Sequence, residues 1–294
     1  VPKAFFKSIN LLGDGLNIRP ALAAWMADHP DYDVDILTLP DHIACIYDHM
    51  DLPLRVITDE SQKESSYDFE HTFDCGDAYT VGEHEHIHEV QAYAKLLGYE
   101  IKQTSQQDGK NPDPDFKPSP LVFTPQEDEH ESGLVLISPF SRSCSSQDGK
   151  GNPPNKMLPW HHWTKILMLL RTYGKIGVLG ATDDRAPNDV PIGEEEYFCG
   201  LPLNRVALML RDCRMLITID SGVAHLAATQ QTTGVELYPT CLSPSWAVPW
   251  ESPNMMILTM NPAAIFVAQT THGLRTAIDM LIARGKIKSN LFSG

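Results

Sequence analysis

The sequence predicts an α/β protein made of two Rossmann-like domains facing a cleft. Three observations carry this. Short runs of β-branched and aromatic residues alternate with longer segments of helical apolar spacing, the pattern of parallel strands joined through helices. The rhythm stops in a polar, proline-rich stretch at 103–132 and then restarts. At 294 residues the chain is long for one ordinary domain and comfortable for two.

Residues 3–9 read as the first strand, followed by a Gly13-Asp14-Gly15 turn and a helix over 18–27. A strand at 34–39 and a helix at 42–50 come next; residues 60–82 have weak periodicity. Ile87, Val90, Ala94 and Leu97 recur at helical spacing and predict a helix over 84–97. The stretch 103–132 holds Asn-Pro-Asp-Pro and Lys-Pro-Ser-Pro, with a short strand candidate at 121–124 inside it. Beyond it, strands are predicted at 133–138, 175–180, 215–219 and 235–238, and helices at 160–172, 203–211 and from Ser221. The expected domains are thus 1–125 and 133–262. Residues 263–294 form a last helix that is a candidate for packing back on the first domain.

Charge is lopsided. Residues 1–120 carry 9 Lys/Arg against 22 Asp/Glu, the remainder 14 against 16. An acidic first half repels phosphate-rich surfaces, which disfavours nucleic acid and anionic lipid as partners. The six cysteines are scattered without a CxxC pair, which favours reduced, buried thiols in a cytoplasm over a disulfide framework. No apolar run reaches the roughly 18–20 residues that span a bilayer, and the N-terminus shows no signal-peptide cleavage pattern. His84 and His88 have metal-ligand spacing on a helix, with His86, Glu85 and Glu89 between and beside them; a solvated or acceptor-facing helix end is the preferred reading, and no metal site is expected.

The strongest local signal is Ile217-Thr-Ile-Asp220-Ser221-Gly222-Val-Ala-His225-Leu-Ala-Ala. A β run enters Asp-Ser-Gly and an Ala-rich helix follows at once. The carboxyl ends of strands in an open α/β sheet are where ligands sit. The helix start there offers free N–H groups and the positive end of a dipole. Gly222 lets a phosphate approach, Ser221 adds a hydroxyl, and His225 falls on the first turn. The same residues also suit plainer roles: Asp220 or Ser221 as an N-cap, and His225 as a core histidine.

This block resembles the D-[ST]-G-x-x-H-x-A-A signature of the ADP-heptose:lipopolysaccharide heptosyltransferases, glycosyltransferase family 9. Lys156-Met-Leu-Pro159-Trp160 resembles that family's K-x-W-P segment, and Gly13-Asp14 with Pro20-Ala-Leu22 its N-terminal block. The resemblance implies a GT-B fold: an acceptor-side domain first, then a nucleotide-sugar domain. It further implies an inverting transfer from a nucleoside-diphosphate sugar to an acceptor hydroxyl, without metal or resident cofactor.

In that reading Asp14 is the general base, on the loop after the first strand, and Lys156 with the Ser221–Gly222 amides stabilises the departing diphosphate. Ser141 and Ser143 are candidate phosphate donors, Asp220 and His225 line the same turn, and Asp183 or Asp184 stands where the family binds ribose. Each has a plainer alternative: Asp14, Asp183 and Asp184 as helix caps, Lys156 as a surface charge, the serines as loop residues. Departures from the family are Phe140 in place of a glycine, an insertion at 145–154, and Tyr238-Pro239-Thr240 in place of a Phe-Gly-Pro-Thr-like segment. The family's acceptors are anionic lipid cores, which an acidic first half does not suit. The acceptor therefore stays open among glycan, lipid core, protein, small molecule and modified DNA base. Two other functions share the pattern: a GT-B NDP-sugar epimerase, and a non-catalytic nucleotide-sugar or glycan-binding protein.

Overall fold

A computed structural model describes residues 1–8, 12–39, 44–48, 53–85, 87–101, 133–141, 158–182, 184, 195–239, 254–260 and 267–287. The described residues fall into two compact units, one ending at 101 and one beginning at 133. The predicted linker and its strand candidate at 121–124 lie outside the described residues.

The first unit is a four-stranded parallel sheet in the order β3-β2-β1-β4. Its strands are β1 (Lys3–Ser8), β2 (Asp33–Thr38), β3 (Leu54–Ile57) and β4 (Phe69–Phe73). Helices α1 (Leu12–Asp28), α2 (Cys45–Asp48), α3 (Cys75–Glu85) and α4 (Glu89–Leu96) complete it, with a 3-10 turn at Glu60–Gln62. Phe6 sits at the centre of the packing, stacked on Phe73 (5.7 Å between ring centroids) and edge-on to Trp25 of α1 (5.0 Å).

Two expectations change here. The Gly13-Asp14-Gly15 segment is not a turn but the opening of α1, so Asp14 stands in a helix's first turn. The predicted helix over 84–97 is broken between Glu85 and Glu89, because His88 is extended (φ −71°, ψ 153°) and caps α4. The Nδ1 of His88 accepts from the Val90 N–H at 3.1 Å, while Gln91 reaches back to the His88 N–H at 3.0 Å, a reciprocal cap. With the break, the i, i+4 spacing of His84 and His88 no longer places them on one helical face. Among the described residues no group of three metal-ligating side chains comes together.

The second unit is a six-stranded parallel sheet in the order β10-β9-β8-β5-β6-β7. Its strands are β5 (Val135–Ser138), β6 (Ile176–Gly180), β7 (Glu196–Cys199), β8 (Met215–Ile219), β9 (Gly234–Pro239) and β10 (Met255–Met260). Helices α5 (Trp160–Leu170), α6 (Leu203–Asp212), α7 (Gly222–Thr229) and α8 (Val267–Ala283) accompany them. The strands at its centre are apolar and buried on both faces, as an internal parallel sheet requires. Trp163, Ile166 and Leu170 of α5 pack with Leu274, Ile278 and Leu281 of α8 against β5, β8 and β9. The last helix thus buries Leu274, Ile278 and Leu281 in the core of the second unit.

No helix among the described residues is long and apolar enough to cross a membrane. Of the four described cysteines, Cys75 is exposed and Cys45, Cys199 and Cys213 are half-buried, so the expectation of buried thiols is not met at these positions.

Candidate functional site

Each sheet reverses its order of growth once. In the second, β5, β6 and β7 run to one side while β8, β9 and β10 run to the other, so the reversal lies between β5 and β8. Ligands in open α/β sheets sit at such a switch point, beyond the carboxyl ends of the strands. The register pairs Ser138 with Thr218, and the two strands end side by side. Ser141 lies three residues past the first and Ser221 three past the second.

The serine at the head of the turn after β8 does not cap the helix it opens. Ser221 is the N-cap of α7, extended at φ −161° and ψ 166°, but its side chain makes no capping hydrogen bond. Its hydroxyl lies 3.4 Å from the hydroxyl of Thr218, which itself donates to the Ile219 carbonyl at 2.9 Å. The first hydrogen bond of the turn runs from the Ala224 N–H to the Ser221 carbonyl, 3.0 Å. The N–H groups before Ala224 point out of the helix without an intrahelical acceptor. Ser221 and Gly222 keep part of their surface, whereas Asp220 and His225 are 3% and 7% exposed. The surface offered to a ligand is therefore the Ser221–Gly222 backbone, with Asp220 and His225 packed behind it.

At the end of β6, Asp184 closes a turn. Its Oδ2 accepts from the Ala181 N–H at 2.5 Å, and its own N–H donates to the Ala181 carbonyl at 3.0 Å. A Cβ on Gly180 would lie 2.9 Å from the Asp184 Cβ and 3.0 Å from the Phe140 ring, so a side chain there would force Asp184 or Phe140 to shift. Phe140 packs against Trp160 (5.7 Å between centroids) at the start of α5. Ser143, Lys156 and Asp183 lie outside the described residues.

In the first sheet the reversal lies between β1 and β4, and Asp14 follows β1 there. Around it is a polar cluster the sequence did not announce. The fully buried Tyr47 hydroxyl bonds the Ser8 hydroxyl (3.1 Å) and donates to the Gly15 carbonyl (3.2 Å), which fixes α2 to the opening of α1. Asn17 donates to the buried Glu89 carboxylate at 2.9 Å, tying α1 to α4. Burial pushes the Tyr93 phenol upward, and the charges of Asp14 and Glu89 push it further. Burial also raises the Cys75 thiol, and Asp14, Asp74 and Glu89 add to the shift. Burial lowers the Arg19 guanidinium to about 10, with Tyr47 opposing, so it remains a cation at neutral pH. The sequence hinted at this cluster only through Asn17 and Arg19, polar residues on a helix that is otherwise apolar toward the sheet.

The family model of glycosyltransferase family 9 (heptosyltransferase) matches residues 123–273, about half of the chain. Similar solved structures include E. coli ADP-heptose lipopolysaccharide heptosyltransferase II, at 17% identity over 95% of this chain and 99% of that one (TM-score 0.65). E. coli heptosyltransferase WaaC with ADP is similar at 14% identity over 94% and 99% (TM-score 0.63). A family 9 glycosyl transferase from Veillonella parvula is similar at 13% identity over 95% and 97% (TM-score 0.66). No curated protein matches the sequence. The chain belongs to glycosyltransferase family 9, the heptosyltransferase family, and is a glycosyltransferase of GT-B fold.

Proposed function

We propose that the protein transfers a sugar from a nucleoside-diphosphate sugar to an acceptor hydroxyl with inversion at the anomeric carbon. The observation that carries this is the helix start after Ser221: backbone donors at a switch point, left uncapped by their own serine. They suit a diphosphate, whose charge grows as the bond to the sugar breaks. Lys156 adds a cation to the same leaving group, and Ser141 and Ser143 add hydroxyl donors. Asp183 or Asp184 takes the ribose. Asp220 and His225 hold the turn in shape from behind.

Asp14 is the general base. It takes the proton of the acceptor hydroxyl as that oxygen bonds the anomeric carbon, while the electron pair of the breaking C–O bond leaves with the diphosphate. The uncapped amides and Lys156 do the neutralising, so no metal or cofactor is required. The similar WaaC structure contains ADP, which makes an ADP-sugar the first donor to try. The cytoplasm, where nucleotide sugars are made, is the proposed setting.

The test is Asp14→Asn with an ADP-sugar donor and a panel of acceptors. We expect transfer to fall roughly 100- to 10,000-fold, with ADP affinity within about twofold of the parent by calorimetry. A variant that keeps its kcat would remove Asp14 from the mechanism. A product of retained anomeric configuration by NMR would remove inversion.

A further inference from the structure

Asp14 stands on a piece of chain that its own sequence leaves loose. Gly13 and Gly15 flank it, and glycine is the poorest helix former after proline. Pro20 then lies inside α1. It has no N–H to close on the carbonyl of Leu16, four residues back, so the ladder tying the first turn to the rest of the helix is interrupted.

Contacts from other elements hold that turn instead. Asn17 is tied to Glu89 of α4 at 2.9 Å, and Tyr47 of α2 reaches the residue bonded to Asp14. Tyr47 is fully buried, with its hydroxyl 3.1 Å from the Ser8 hydroxyl and 3.2 Å from the Gly15 carbonyl. A phenol has one proton to give. Given to Gly15, it leaves the phenol oxygen to accept from Ser8, and one relay then runs from the last residue of β1 to the neighbour of Asp14. Ser8 is a firm anchor. Its strand pairs with β2 on one side and β4 on the other, and its carbonyl accepts from the Leu39 N–H at 2.9 Å. Burial pushes the Tyr47 phenol well above its ordinary value, so it remains a donor at neutral pH.

We propose that Tyr47 is a positioning residue for the transfer: by holding the Gly15 carbonyl to the end of β1, its hydroxyl keeps the Asp14 carboxylate where it can take the acceptor's proton. The inference rests on Asp14 being the base. A general base has to stay within hydrogen-bond reach of the proton it removes, and a misplacement of about 1 Å can cost on the order of 100-fold in rate. Tyr47 is buried, so it acts through Asp14 rather than on a substrate.

The test is Tyr47→Phe, which removes one oxygen and keeps the ring. ADP release from ADP-heptose, with water or octyl glycosides of glucose, galactose and mannose as acceptors, is compared in the parent, Tyr47→Phe, Asp14→Asn and the double variant. The expected kcat of Tyr47→Phe is about 10- to 100-fold below the parent, with donor KM and the Kd for ADP within about twofold. In the Asp14→Asn background the same change should lower kcat by no more than about twofold, because a clamp on a missing base has nothing to hold. A loss of merely structural origin would lower both backgrounds alike, and that result overturns the inference. Amide hydrogen exchange needs no acceptor: it should quicken in Tyr47→Phe at residues 16–19, whose N–H groups close the first turn of α1, and stay as in the parent along β1. Unchanged exchange at 16–19 overturns the inference as well. If Tyr47→Phe does not fold, Ser8→Ala removes the other hydroxyl of the relay and should lower kcat about threefold or more. An unimpaired kcat in Tyr47→Phe beside an impaired Asp14→Asn sinks the inference alone, whereas an Asp14→Asn variant as active as the parent overturns the reading beneath it.

Discussion

Asp35 shows how an acidic surface can still be folded by its charges. It lies on β2, 7% exposed, and takes a two-pronged contact from Arg55 of β3, with Nε to Oδ1 at 2.8 Å, and a hydrogen bond from the Tyr67 hydroxyl at 2.6 Å. Burial disfavours its charge, but the Arg55 and Tyr67 hydrogen bonds outweigh burial and hold the carboxyl below the ordinary range. A depressed native value means the stabilisation is present above the unfolded value of about 4 and is lost as pH falls through the native one. Arg55 is half exposed, so solvent screening limits the effect. We expect Arg55→Ala to cost about 1 kcal/mol at pH 7 in urea unfolding, with the difference narrowing below about pH 4. A constant difference down to pH 3 would mean lost packing instead. At this scale the contiguous turn Asp220–Gly222 was legible because its parts are neighbours in sequence. Glu89 and Tyr93 were not, because only the packing of α1 against α4 brings them to Asp14.

Among elements, β8 depends on the residue beside it. Gly234 of β9 pairs with Leu216 of β8, and a Cβ on it would lie 2.2 Å from the Leu216 carbonyl oxygen. That neighbour is backbone and cannot swing aside. Gly234→Ala should cost about 2–3 kcal/mol, lowering the midpoint of a thermal melt by roughly 5–10 °C. It should also weaken ADP binding, since β8 carries the Ser221–Gly222 turn; an unchanged melt would show that β9 can shift freely. The strands the sequence missed, β3, β4, β7 and β10, are the four edges of the two sheets. Edge strands are wetted along one side, and the burial of β3 and β7 is mixed. Their apolar signal is diluted accordingly. The central strands, buried on both faces, were read within a residue or two at most ends. The early start of α1 was missed because two glycines near its opening look like a turn, although neither takes a positive φ.

For the molecule as a whole, the lopsided charge and the polar break at 103–132 were plain in the sequence. The destination of the last helix was not. Its apolar spacing says that it packs, but not on what, and the answer lies in long-range contacts with α5, β9 and β10. Leu274, Ile278 and Leu281 are at most 1% exposed. At about 1.5–3 kcal/mol for each buried side chain, removing residues 267–294 would cost the second unit about 5 kcal/mol or more. That rivals the whole stability of a typical domain. We expect such a truncation to lose its near-ultraviolet circular dichroism and its cooperative melt; a folded, ADP-binding remainder would show that α8 is dispensable. Both sheets change direction beside the strand that leads to the proposed chemistry, and the residues proposed for it sit on turns past the last rung of each ladder. Those turns can be rewritten without breaking a single interstrand bond, so a lineage that keeps this scaffold is free to exchange one sugar or recipient for another by editing a handful of positions.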